Sequence, residues 1–162
     1  MSRRSRWPRI RLSELEAFLV ETKTRIHAVP ATPTTSATRV HAKSRTYSRA
    51  PFRFAGEYLG DNVDIGQEIV WYGDVPIWGM GCHGGILRES VPMRQPIFAF
   101  LSQALTQPDP ACPVRGPGRL DRDGFVYVNH VTGDLRSFVG REAVYWRDRL
   151  VCFYDYVGGG IW

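Results

Sequence analysis

Apolar residues recur along the chain with two different periods, and these divide it into two helices and six strands. Leu12, Leu15, Phe18, Leu19 and Ile26 fall at spacings that make one apolar stripe, so a helix is expected there. Ser13 and Glu16 have the S-x-x-E spacing of a capping box at its start, and Lys23 and Arg25 lie near its end, where cations suit the helix dipole. A second stripe, Ile97, Phe98, Leu101 and Leu105, follows Pro96, which fits the first turn of a helix. Strands are predicted over 52–58, 67–72, 75–82, 124–131, 142–146 and 150–156. In the second of these, Glu68, Val70 and Tyr72 share one face and Gln67, Ile69 and Trp71 the other. Gly73-Asp74 reads as a two-residue hairpin turn, and Arg147-Asp148 turns the final hairpin.

The elements read as two copies of one unit. Shifting Ile65–Leu87 by 74 positions brings Gly66, Glu68, Val70, Asp74, Gly84 and Gly85 onto Gly140, Glu142, Val144, Asp148, Gly158 and Gly159. The fold class expected is therefore α+β: an internally duplicated helix-plus-three-strand unit, α-β-β-β twice. It has six mainly antiparallel strands and two helices packed on the sheet. Residues 1–11 read as a basic flexible arm and 12–162 as one duplicated domain. Repeat 1 spans about 12–90, including a long basic linker over 27–51, and repeat 2 about 91–162. That linker is rich in Pro, Thr and Ser and is expected to be either disordered or a flap over a site.

Charge changes this picture in one respect. Residues 1–51 hold eleven Lys/Arg against three Glu, whereas 52–162 hold ten Arg against thirteen Asp/Glu, so the positive excess lies at the N-terminal end. Arg3, Arg4, Arg6, Arg9 and Arg11 are thus candidates for nucleic-acid contact, with a solvated tail as the plainer reading. Three cysteines without a C-x-x-C pair argue against a disulfide framework and a zinc site, and point to a reducing, cytoplasmic setting. No apolar run is long enough for a membrane span, and no cofactor or metal is implied.

Several segments together resemble a known family. They are FLVETK (18–23), FRFAGEYLG (52–60), IGQEIVWYGDVPIWGM (65–80), RGP (115–117), VTGD (131–134), VGREAVYW (139–146) and the closing Gly158-Gly159. The chain resembles the bacterial family described as domain of unknown function 5680, whose members occur alone or behind a helix-turn-helix module. The resemblance implies a fold and no established activity. It departs from the family at Gly81-Cys82-His83 and at Val157.

Candidate chemistry is sparse. Gly79-Met80-Gly81-Cys82-His83-Gly84 spells G-x-G-x-x-G, but no long helix follows to receive a pyrophosphate, so close backbone packing is the expected role. Glu68 and Glu142 occupy matching places, where they would form a carboxylate pair for acid/base work or satisfy a strand end. Cys82 and His83 suggest a thiolate–imidazole pair, which strand alternation disfavours. Arg115, in a rigid V-R-G-P-G loop, would bind an anion or satisfy loop carbonyls. The first functional expectation is a non-catalytic small-molecule-binding or interaction domain in a bacterial regulatory context. Its ligand would sit at the seam of the repeats, against Glu68, Trp71, Trp78, His83, Arg115, Glu142, Tyr145 and Tyr154. The alternatives are a small hydrolase or isomerase using Glu68/Glu142 or Cys82/His83, and nucleic-acid contact through the arginine arm.

Overall fold

A computed structural model describes residues 8–34 and 42–161. In chain order the elements are α1 (Leu12–His27), β1 (Thr32–Thr34), β2 (Ala42–Arg49), β3 (Phe52–Gly60), β4 (Val63–Tyr72) and β5 (Val75–Ile86). A 3₁₀ segment, Arg88–Met93, leads into α2 (Arg94–Leu105), followed by β6 (Arg119–Arg122), β7 (Phe125–Asp134), β8 (Ser137–Trp146) and β9 (Arg149–Gly160). Among the described residues the strands form one antiparallel sheet of nine, ordered β1-β2-β3-β4-β5-β9-β8-β7-β6.

This corrects the six-strand, duplicated α-β-β-β expectation. Five strands follow α1 and four follow α2, so the helix-strand unit does not recur. The matching residues mark a likeness between two hairpins, β4–β5 and β8–β9, which lie side by side through the β5–β9 pairing. Each hairpin shifts register after the matched valine, between Val70 and Trp71 and between Val144 and Tyr145. The stretch read as a linker supplies β1 and β2, with 35–41 outside the described residues. It folds as strand because β2 pairs along its whole length with β3, from Ala42 opposite Leu59 to Arg49 opposite Phe52. The third strand not foreseen, β6, is joined to β7 by Asp123-Gly124, whose φ values of 52° and 84° fit a type I′ turn.

The six expected strands are present but longer. Gly73 carries the positive φ (57°) its turn requires, and Arg147 and Asp148 turn the last hairpin with φ of 46° and 66°. α1 begins one residue before Ser13, and the Glu14 carboxylate, not that of Glu16, accepts from the Arg11 N–H at 3.0 Å.

Both helices pack on one face of the sheet, in two apolar clusters. Leu15, Phe18, Leu19 and Ile26 of α1 pack with Phe52, Phe54, Val70, Trp78 and Met80. Ile97, Phe100, Leu101 and Leu105 of α2 pack with Phe125, Tyr127, Val144, Val151 and Tyr154. Between the clusters the sheet is lined by glycine and polar side chains. A Cβ on Gly84 would fall 2.6 Å from the Cα of Tyr154, so the close approach of β5 to β9 admits no side chain there. Close backbone packing is thus the role of Gly84 in the G-x-G-x-x-G pattern, whereas a Cβ on Gly81 would meet nothing nearer than 3.9 Å.

Candidate functional site

The inner face of β4 carries Glu68 in mid-strand, fully buried, which corrects its reading as a strand-end residue. Its partner comes from α1. Lys23 lies four residues after Leu19 and three before Ile26, so it falls inside the apolar stripe and is itself fully buried. Its ammonium donates to Glu68 Oε2, and the Tyr58 hydroxyl donates to Oε1 at 2.7 Å. Glycine makes room for that tyrosine: a Cβ on Gly56 would fall 2.7 Å from its hydroxyl, and one on Gly66 would run into its ring.

Glu142 on β8 is held in a similar way. Arg115, from the buried loop after α2, donates to Oε1, and the Tyr127 hydroxyl donates to Oε2 at 2.6 Å. That hydroxyl also accepts from the Gly116 N–H at 3.0 Å. The guanidinium lies 5.2 Å from the centre of the Tyr154 ring. The two carboxylates are therefore not a pair: β5 and β9 lie between their strands, and each has its own cation and its own tyrosine.

Burial and neighbouring charge set the protonation states. Burial lowers the pKa of Lys23 and Glu68 opposes it. For Arg115, burial opposes the charge but Glu142 prevails, and the pKa stands well above its ordinary value. Burial, then the adjacent carboxylate, holds Tyr58 and Tyr127 well above the usual phenol range. Each glutamate side chain thus accepts from one nitrogen and one phenol.

A cavity of about 380 Å³ opens beside these pairs, between the C-terminal end of α1, the length of α2 and the sheet. Its polar wall includes His27, Arg45, Tyr58, Asp64, Arg115 and Tyr154, and its apolar wall Phe98, Leu101 and Leu105. At the rim Arg94 donates two hydrogen bonds to Asp61, at 2.7 and 2.5 Å, with Lys43 3.8 Å from the same carboxylate. Arg45 donates to the main-chain carbonyls of Ile26 and Val29, which ties β2 to the end of α1. Tyr154 donates to Asp64 Oδ2 at 2.9 Å across β5, over the bare Gly84 that lies between them in register.

Three buried atoms of residues that line this cavity have no hydrogen-bond partner among the described residues: His27 Nε2, Arg115 Nε and Asp64 Oδ1. Burial, then Lys23, holds His27 well below its ordinary pKa, as a neutral imidazole. Burial also raises Asp64. Cys82 lines the cavity, and burial pushes its thiol up to about 11, so it is not a thiolate at neutral pH.

The residues singled out from sequence are dispersed. Arg115 and Tyr154 line the cavity, and Glu68 and Glu142 stand behind its wall. Trp78 is buried core, with its ring centre 5.8 Å from that of Phe138. Trp71 is on the opposite face beneath Arg53, at 4.2 Å, and Tyr145 is half-buried on that face too. His83 is exposed on that face, whereas Cys82 points inward, so the two do not form a dyad. Arg9 and Arg11 border a separate cavity of about 370 Å³ beside Arg136, while Arg3, Arg4 and Arg6 lie outside the described residues. Lys23, His27 and Arg45 were not singled out; the helical spacing of Lys23 and His27 was the available signal.

The family model described as a domain of unknown function (DUF5680) matches residues 56–161, and the chain belongs to that family. The match takes in Tyr58, Asp64, Glu68, Arg115, Glu142 and Tyr154, and leaves out α1 and β2, which contribute Lys23, His27 and Arg45. No curated protein and no solved structure matches the chain. No helix among the described residues is long and apolar enough to cross a membrane.

Proposed function

We propose that the protein is a non-catalytic small-molecule-binding domain, with its ligand in the cavity between α1, α2 and the sheet. One observation carries this reading. Among the described residues, polar atoms are left without partners on His27, Arg115 and Asp64, which line a cavity whose opposite wall is apolar. Buried polar groups are normally satisfied, because each one left bare costs about 1–3 kcal/mol. A concave, largely apolar site with a few convergent polar groups is the usual form of a ligand pocket. The volume of about 380 Å³ suits a small metabolite.

Binding is favoured over hydrolysis or isomerisation by the state of the reactive groups. Glu68 and Glu142 are each committed to a cation and a phenol, and the Cys82 thiol is protonated and separated from His83. A cytoplasmic regulatory setting fits three free, buried thiols. The test is a thermal-shift screen of a metabolite library against the wild type and Ser102→Trp, which places an indole into the cavity from α2. A binder at a hundred times its Kd stabilises by about 2.7 kcal/mol. Compounds that stabilise the wild type and not the variant support the reading. A screen without such compounds defeats it.

A further inference from the structure

The polar groups around the cavity define what it takes. Lys23, Lys43, Arg45, Arg94 and Arg115 lie in or directly behind its wall, facing the carboxylates Asp61, Asp64, Glu68 and Glu142. Three of these carboxylates have close cationic partners: Glu68 with Lys23, Glu142 with Arg115, and Asp61 with Arg94 and Lys43. Arg45 places its guanidinium on two main-chain carbonyls. The fourth carboxylate, Asp64, is raised in pKa by burial and already accepts from Tyr154. Lys43, Arg94 and Asp61 are partly exposed at the rim, so the enclosed set is Lys23, Arg45 and Arg115 facing Asp64, Glu68 and Glu142. Among the described residues it leaves Arg115 Nε, His27 Nε2 and Asp64 Oδ1 without a partner.

We propose that the cavity binds a small monocarboxylic acid. Its carboxylate faces Arg115 Nε, His27 Nε2 and the Arg45 guanidinium, and its apolar body lies along α2 against Phe98, Leu101 and Leu105. The proposal rests on the binding function argued above and names its ligand class. A carboxylate accepts from the unpartnered Arg115 Nε–H and from an N–H at His27 Nε2, completing both. The two bare nitrogens match the two oxygens of a carboxylate. A phosphate monoester, carrying about −1.5 to −2 at neutral pH on three oxygens, exceeds them. The apolar wall gives a small aliphatic or aromatic body a place to leave water, at about 25 cal/mol per Å².

The experiment is calorimetric titration of the full chain with hexanoate and phenylacetate, beside hexanamide, phenylacetamide and inorganic phosphate. The acids should bind at least about tenfold more tightly than the amides of the same shape, since hydrogen bonds to charged groups are the strong ones. Phosphate should not bind. Ser102→Trp should abolish acid binding, and His27→Leu should weaken it about tenfold while the variant stays folded. Arg115→Gln strands Glu142 and invites unfolding, so the double variant Arg115→Gln/Glu142→Gln is the informative one, with the same weakening expected. If amides bind as well as acids, the cavity remains a binding site and the carboxylate assignment is overturned. Binding of phosphate in preference to the acids overturns it as well. If neither acids nor amides bind and the metabolite screen is also empty, both readings fall together.

Discussion

Lys23 of α1 donates to Glu68 in the middle of β4, and neither side chain has any exposed surface. Burying two charges is expensive, and one without the other is worse, so the pair should be strongly coupled. Lys23→Met is expected to cost about 3–5 kcal/mol, because Glu68 would keep its burial and lose its cation. The double change Lys23→Met/Glu68→Gln should recover much of that loss, since the amide still accepts from Tyr58. Urea unfolding of the four proteins closes the cycle. Additive losses would mean that the two residues act independently.

His27 should give the protein an acid-sensitive component. Burial first, then Lys23, Arg115 and Arg45, keep the folded imidazole neutral far below 6.5, where the unfolded chain takes up its proton. The unfolded state therefore binds more protons below that pH. Stability from this group is complete above 6.5 and declines as pH falls towards the folded value, by up to about 1.4 kcal/mol per pH unit. Between pH 7.5 and 5.0 the wild type should lose about 2 kcal/mol more than His27→Gln. Equal losses in the two proteins would rule this out.

Three glycines on neighbouring strands should respond differently to the same methyl group. On Gly66 it would run into the Tyr58 ring and fall 2.9 Å from Cys82 Sγ, and on Gly140 it would run into the Tyr156 ring. On Gly81 the nearest atom would be 3.9 Å away. Gly66→Ala and Gly140→Ala are expected to cost about 1–3 kcal/mol, as overpacked sites do. Gly81→Ala should stay within about 0.5 kcal/mol, as surface substitutions do. Thermal melts of the three would show whether the tyrosines depend on the bare backbone beside them.

At the cavity rim the Arg94–Asp61 pair should matter for local opening more than for global stability. The pair is partly exposed, and such bridges contribute about 0–1 kcal/mol. Arg94→Ala should therefore leave the melting temperature nearly unchanged and speed amide exchange in the first turns of α2, measured by mass spectrometry. Unaltered exchange there would show that the clasp does not hold the helix.

The hairpins were legible because their alternation is strong: Gly66, Glu68 and Val70 are buried while Ile65 and Gln67 are exposed. β2 was not, since AKSRTYSR has too few apolar residues to show a period and owes its state to pairing with β3. β6 is only four residues long, and Asp123-Gly124 was the cue that went unused. Glu68 and Glu142 stood out because the 74-residue shift brings one onto the other, and Arg115 because its V-R-G-P-G loop is rigid. Lys23 reads as a cation suited to the helix dipole, although its spacing puts it on the buried stripe. The apolar cavity wall was invisible for a general reason: Phe98, Leu101 and Leu105 repeat with the same period whether they meet other side chains or a void.

β5 and β9 are neighbours in the sheet, yet α2 and three other strands are synthesised between them. During translation the N-terminal strands must wait with a glycine-rich edge unpaired until the last strand emerges, and non-local closures of this kind are slow. Tyr154, which reaches over to Asp64, arrives only with that strand. A molecule held in the cavity would therefore engage only chains whose final strand has docked, making occupancy a checkpoint for finished folding.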